Sequence, residues 1–236
     1  MCIEHHRCIR RMRFTIGTSI LIPYIHPHPM ARKAREENTF DANNPEDLQK
    51  LRDILAKDGG SPAGHAALGC LLYMSNEKEK MEESIPHLII GADAGDDNCM
   101  VLLGDAYIKG EVVEKDVAKG IDFHEAAGLM GNVEGAACAA NEYLMGVNIP
   151  ENHERAYYLF SIAASKNSDK GFNGLGLMYL CGFHVEKDVK EAKKNFIKAK
   201  ARGSSVAVVN LENLKEYGPD YDYAASLREE AEEYRL

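Results

Sequence analysis

Tryptophan is absent from this 236-residue chain, and no apolar run in it is long enough to cross a bilayer. The longest, residues 14–25, is 12 residues and contains Pro23, whereas a membrane-spanning helix needs roughly 20. No transmembrane segment is expected. No Asn-x-Ser/Thr sequon occurs, which removes one mark of a glycosylated, secreted surface. Basic charge is scarce where a nucleic-acid footprint would need it. Of 28 Lys and Arg, seven fall in residues 1–35 beside a single acid, which leaves 21 basic against 36 acidic side chains in the rest, a net −15. That balance excludes a basic binding face over the body, so no nucleic-acid partner is expected. What remains, 45% hydrophobic and 28% charged residues, is enough to bury a core.

The basic charge is concentrated in an arm, residues 1–43, that reads as non-globular. Four arginines (Arg7, Arg10, Arg11, Arg13), the short apolar run, His26-Pro27-His28-Pro29 and a second basic cluster follow one another without a sustained amphipathic period. An Arg-rich, acid-poor start is the pattern of a mitochondrial targeting segment, and no small-residue cleavage pattern of a secretory signal follows Ile25. A mitochondrial location is the expectation, with the cytoplasm as the alternative; Met12 and Met30 are further possible starts. Cys2, His5, His6 and Cys8 offer zinc-type donors, but all four fall within seven residues, whereas structural zinc sites separate their ligand pairs by a loop. No metal is expected there.

The body, residues 44–236, repeats itself at an interval of 36 residues. Gly104, Ala140 and Gly176 form a small-residue column, preceded 35 residues earlier by Gly69 after a one-residue deletion. Three residues on stand Leu72, Tyr107, Tyr143 and Tyr179, and five before the marker stand Gly64, Cys99, Gly135 and Gly171. Asp116, Asn152 and Asp188 are of the type that caps a helix start, while Gly59, Gly95, Gly131, Asn167 and Gly203 are of the type that closes one. Each unit therefore reads as two antiparallel helices. First helices are expected near 61–75, 97–110, 133–146, 169–182 and 205–217, and second helices near 80–94, 116–130, 152–166, 188–202 and 220–235. A preceding half-unit spans 44–58, with Asn44 as cap and Pro45 at the first helical position. The fold class is all-α, an α-solenoid of stacked helix pairs with about 11 helices. The small column marks a close crossing, where Gly104→Leu would overpack.

Segments such as LGDAYIKGEVVEKDVAKGIDFHEAAGLMGN (103–132) and LGLMYLCGFHVEKDVKEAKKNFIKAKARGS (175–204) resemble Sel-1-like repeats, relatives of tetratricopeptide repeats with a longer loop between helices. The resemblance implies a non-catalytic protein-binding scaffold: an adaptor, an assembly factor or a structural subunit of a multi-subunit complex. A cysteine-rich branch of the same family resembles β-lactamase-like enzymes, and members in the endoplasmic reticulum act in quality control; both stand as alternatives. Against the enzyme, Cys70, Cys99, Cys138 and Cys181 occupy unlike repeat positions, so no recurring disulfide is expected and reduced, buried thiols are.

No catalytic set is expected. His124-Glu125 lacks the second His that a zinc protease helix requires, and no glycine-rich phosphate loop precedes a helix. His65, His87, His124, His153 and His184 fall in different registers of the repeat, as packing or surface residues do. No cofactor, metal or small-molecule substrate is expected, and the chain is read as not an enzyme. The resemblance to tetratricopeptide units instead assigns a concave binding face to fixed offsets from the small marker. Those offsets select Tyr73 and Met74, then Asn98, Val101, Asp105, Ile108 and Lys109. In later repeats they select Asn141, Leu144 and Met145, then Asn173, Leu177 and Leu180, with Asn213 beyond. Apolar contact with amide hydrogen bonds from Asn98, Asn141, Asn173 and Asn213 would suit a helix or extended peptide.

Overall fold

The computed structural model describes residues 40–41 and 43–234, and all regular structure among them is helical. Residues 1–39 of the basic arm, with Cys2, His5, His6 and Cys8, lie outside the described residues. Eleven helices follow in chain order: α1 (Pro45–Lys57), α2 (Pro62–Met74), α3 (Lys78–Asp93), α4 (Asp97–Lys109), α5 (Val117–Leu129), α6 (Val133–Met145), α7 (His153–Ser165), α8 (Asp169–Cys181), α9 (Val189–Lys200), α10 (Ser205–Tyr217) and α11 (Tyr223–Tyr234). Even-numbered helices are the first of each pair and odd-numbered ones the second. The helix–turn–helix stack expected from the 36-residue period is the observed fold. None of these helices is long and apolar enough to cross a membrane.

Capping sets the boundaries. Asp116, Asn152 and Asp188 each accept from a backbone N–H three residues on, at 3.0 Å, which satisfies donors that the first helical turn leaves free. A second capping column, not recognised in the sequence, starts the even helices: Ser61, Asp96, Asn132, Ser168 and Ser204 all accept from their own first turns. The loop 110–116 is closed by one recurring bond. The N–H of Asp116 donates to the Tyr107 carbonyl at 2.9 Å, as Asn152 does to Tyr143 and Asp188 to Tyr179. Gly110 makes the turn possible with φ of +70°, a conformation that glycine adopts without a Cβ clash. The first complete pair differs, because Ser75-Asn76-Glu77 is its whole loop and α3 begins earlier to compensate. This is the physical form of the one-residue deletion.

The body divides between Gly135 and Ala136 into two compact units. In the first, Leu48 and Leu51 of α1 pack with Leu68 and Leu72 of α2. A second cluster joins Ala66, Tyr73, Met81, Leu88, Cys99, Leu102 and Leu103. Each fully buried leucine contributes roughly 1.5–3 kcal/mol of transfer free energy. In the second unit, Phe160 of α7, Leu180 and Met178 of α8, Phe196 of α9 and Tyr223 of α11 are buried. The column Leu88, His124, Phe160 and Phe196 runs through both units at intervals of 36. His124 is its one polar member.

The small column does mark close crossings. A Cβ on Gly69 would lie 2.9 Å from the backbone nitrogen of Leu88, and one on Gly104 would lie 2.6 Å from His124 Nε2 and 2.9 Å from the Gly120 carbonyl. In the second unit a Cβ on Gly176 would run into the Phe196 ring.

Candidate interaction face

The even helices position the residues selected by the repeat offsets, and the first unit leaves more of them exposed than the second. In the first unit Met74 is 38% exposed and Lys109 is exposed, Asn98, Asp105 and Ile108 are half-buried, and Tyr73 and Val101 are buried. In the second, Asn141 and Asn173 are half-buried, whereas Leu144, Met145, Leu177, Leu180 and Asn213 are buried. The polar members of the row other than Asn213 therefore reach the surface, and most of its apolar members are covered by the chain's own atoms.

Two of these amides, Asn98 and Asn173, accept from amides outside the row. Asn132 Nδ2 donates to Asn98 Oδ1 at 3.5 Å, and Asn210 Nδ2 donates to Asn173 Oδ1 at 2.9 Å. Asn210, which the offsets did not select, joins Asn173 across two neighbouring first helices. Its register, 37 residues on from Asn173, was the signal available.

The Asp–His pair of the first unit is built on the same row. Asp105 accepts from His124 Nε2 at 3.2 Å, and the Val101 carbonyl accepts from the same nitrogen at 3.2 Å. That bonding makes Nε2 the protonated nitrogen, and His124 Nδ1 is buried without a hydrogen-bond partner. Among the described residues no hydroxyl or thiol bonds that second nitrogen of the Asp–His pair. Burial, with Asp105 and Glu111 nearby, holds the Tyr73 hydroxyl well above its ordinary pKa.

His65 and His87 line a second feature of this unit, an open cleft of about 470 Å³ with Arg52, Leu55, Leu68 and Glu83. Their Nδ1 atoms lie 2.7 Å apart, so one donates and the other accepts. Arg52 Nη2 binds Glu83 at 2.7 and 3.0 Å beside them. Burial, then the neighbouring His65, lowers the His87 pKa below its ordinary value.

Among the described residues, Cys70, Cys99, Cys138 and Cys181 form no disulfide. Cys99 is fully buried, while Cys70, Cys138 and Cys181 are half-buried; burial pushes the Cys181 thiol up to about 12. Among the described residues, one group of donors could hold a metal: Cys70, Cys99 and Asp96, whose ligating atoms lie within 4.8 Å of one another.

Three stretches of the chain, 98–132, 136–168 and 173–204, match the Sel1 repeat model. They cover the pairs from α4 to α9, and these three helix pairs are Sel1-like repeats. Among solved structures it resembles a Sel1 repeat protein from Oxalobacter formigenes at 19% identity and a TM-score of 0.66, covering 86% of this chain and 83% of that one. It also resembles a protective antigen of uropathogenic Escherichia coli that displays an SLR fold, at 21% identity and a TM-score of 0.64. That likeness covers 80% of this chain, which spans only 40% of the antigen. At these identities the likeness is one of fold. No curated protein matches the sequence.

Proposed function

We propose that this chain is a non-catalytic scaffold that binds a protein partner through its first-helix face, as an adaptor, assembly factor or subunit of a larger complex. The observation that carries the reading is that half-buried amides recur at this register in each unit, Asn98 in the first and Asn141 and Asn173 in the second, with Met74 and Lys109 of the first unit exposed. Amides so placed can bond to a peptide backbone while apolar stems exclude water. Chemical cross-linking of the complex isolated from its native source tests the reading. Cross-links from Lys109 to the partner are expected, and Met74→Glu with Lys109→Glu should abolish capture of that same partner. A purified-protein assay with a chromogenic β-lactam should show no hydrolysis above the buffer rate.

A second reading places the partner on the second helices. Ile54 of α1 is 48% exposed, Ile90 of α3 39% and Leu129 of α5 55%, and large apolar side chains left in water are commonly contact residues. Cross-links confined to Lys57, Lys78 and Lys119, with partner loss only in Ile54→Glu and Ile90→Glu, would favour that face. Residues 1–43 are proposed to direct mitochondrial import, on their seven basic residues and single acid over residues 1–35. Residues 1–40 fused to a fluorescent protein should then enter mitochondria; a diffuse cytosolic signal would refute this.

A further inference from the structure

We propose that Cys70, Cys99 and Asp96 form a binding site for a thiophilic divalent cation, with zinc the best fit, in the unit that ends at Gly135. The proposal goes beyond the protein-binding reading and stands independently of it. Cys70 lies on α2, Cys99 in the first turn of α4, and Asp96 is the N-cap of α4, so the site joins two consecutive repeats.

Distance decides between the uses open to this thiol pair. The sulfur atoms are 3.9 Å apart. Two thiolates on one tetrahedral zinc, each at about 2.3 Å, sit about 3.8 Å from each other. A disulfide requires about 2.05 Å, so the pair would have to close by nearly half the separation. The observed spacing suits a shared metal without movement.

The surroundings suit it as well. Asp96 Oδ1 accepts from the backbone N–H of Asn98 at 3.1 Å and of Cys99 at 2.9 Å. These bonds fix the carboxylate and leave its second oxygen for the cation, the kind of outer support that ligating carboxylates usually have. Gly91 of α3 makes the room, because a Cβ there would lie 2.5 Å from the Cys99 sulfur. Both sulfur donors are buried and Asp96 is half-buried, so the site reaches toward solvent on its carboxylate side. Thiolates and one carboxylate are a donor set that favours zinc over calcium or magnesium.

Binding is an exchange of protons for metal. Each thiol gives up its S–H proton to solvent as its sulfur bonds to zinc, and nothing is oxidised or reduced. Two thiolates and one carboxylate leave the zinc site with one net negative charge, beside the N-terminal end of α4, where the helix favours negative charge.

The test uses the full chain with Cys2→Ser and Cys8→Ser, so that the arm does not compete. Reduced protein is titrated with zinc against a chromogenic chelator, and separately with cobalt(II). One equivalent of each should bind, and cobalt should give thiolate-to-metal charge transfer with the visible bands of a tetrahedral site. Cys70→Ser, at a half-exposed position, should abolish both. Asp96→Asn keeps a side chain that can cap α4, so the metal-free protein should melt as the parent does while zinc affinity falls at least about tenfold. The proposal is overturned if cobalt gives no charge-transfer band. Equal binding by parent and Cys70→Ser overturns it too, as does equal affinity in the Asp96→Asn variant.

Discussion

Gly91 of α3 and Cys99 of α4 are complementary: a Cβ on the glycine would stand 2.5 Å from the cysteine sulfur. At the following junctions the same two positions hold Ala127 with Gly135 and Ala163 with Gly171, and a Cβ on either glycine would lie 2.8 Å from that alanine's Cβ. One position of each pair is glycine because the two helices meet there. Gly91→Ala alone is expected to destabilise the protein by about 1–3 kcal/mol through overpacking, although alanine is the better helix former by about 1 kcal/mol. With Cys99→Gly added, the cost should shrink, since the pair then matches its neighbours. Urea unfolding of the two single variants and the double variant gives the coupling, expected to be at least about 0.5 kcal/mol. Additive effects would mean that the residues do not compete for space.

Gly104→Ala should cost more than a surface change, about 1–3 kcal/mol, because the added methyl meets both His124 and the Gly120 carbonyl. A backbone carbonyl cannot rotate away as a side chain can. Truncating His124 to Ala in the same protein should therefore recover only part of the loss, as read from thermal melts.

The helices were legible because a repeat states its own register: Asp116, Asn152 and Asp188 cap three helices in identical geometry. Depth was less legible. The offsets that selected Asn173 also selected Leu177 and Leu180, and the row does not distinguish a half-buried amide from a leucine inside the stack. Periodicity compares like positions, whereas contacts join unlike ones. Cys70 and Cys99 stand in different columns, one after the marker of their repeat and five before the next, so their approach to 3.9 Å is a property of the junction. The same holds for Asn210, whose partner Asn173 lies one repeat back.

Acid should weaken the fold through two histidines. Burial lowers His87, which faces His65, Glu83 and Arg52, and burial likewise lowers His153, which faces Glu151 and Arg228. In the unfolded chain both titrate near the ordinary 6.5. Below that pH the unfolded state binds more protons than the folded one, so the stability they contribute is present above 6.5 and lost as pH falls through the lowered folded values. Melting temperature should decline from about pH 6.5 downward, and His87→Gln should flatten part of the decline. An unaltered slope in that variant would remove His87 from the account.

Asp188→Ala should cost about 0.5–2 kcal/mol and Asp188→Asn much less, because either oxygen-bearing side chain can accept from the first turn of α9. The backbone bond from residue 188 to the Tyr179 carbonyl, 3.0 Å in the parent, needs no side chain. Loss in the alanine variant should therefore appear in melting temperature without a large fall in helical circular dichroism.

Leu180→Glu and Met74→Glu separate the inside of the first-helix row from its surface. Leu180 is fully buried, so its glutamate would sit without a partner charge in the interior, a cost of several kcal/mol that is comparable to the whole stability of an ordinary domain. Met74, 38% exposed, can carry a carboxylate in water, and substitutions of that kind usually stay within about 0.5 kcal/mol. Leu180→Glu is expected to lose cooperative unfolding, or to shift its urea midpoint strongly downward, while Met74→Glu melts close to the parent. This ordering also decides which variants can report on partner binding. A partner lost only by Leu180→Glu would reflect unfolding, whereas one lost by Met74→Glu at unchanged melting temperature would report contact on the face itself. If Leu180→Glu melts like the parent, the leucine is accessible, and the apolar members of the row return as candidate contacts.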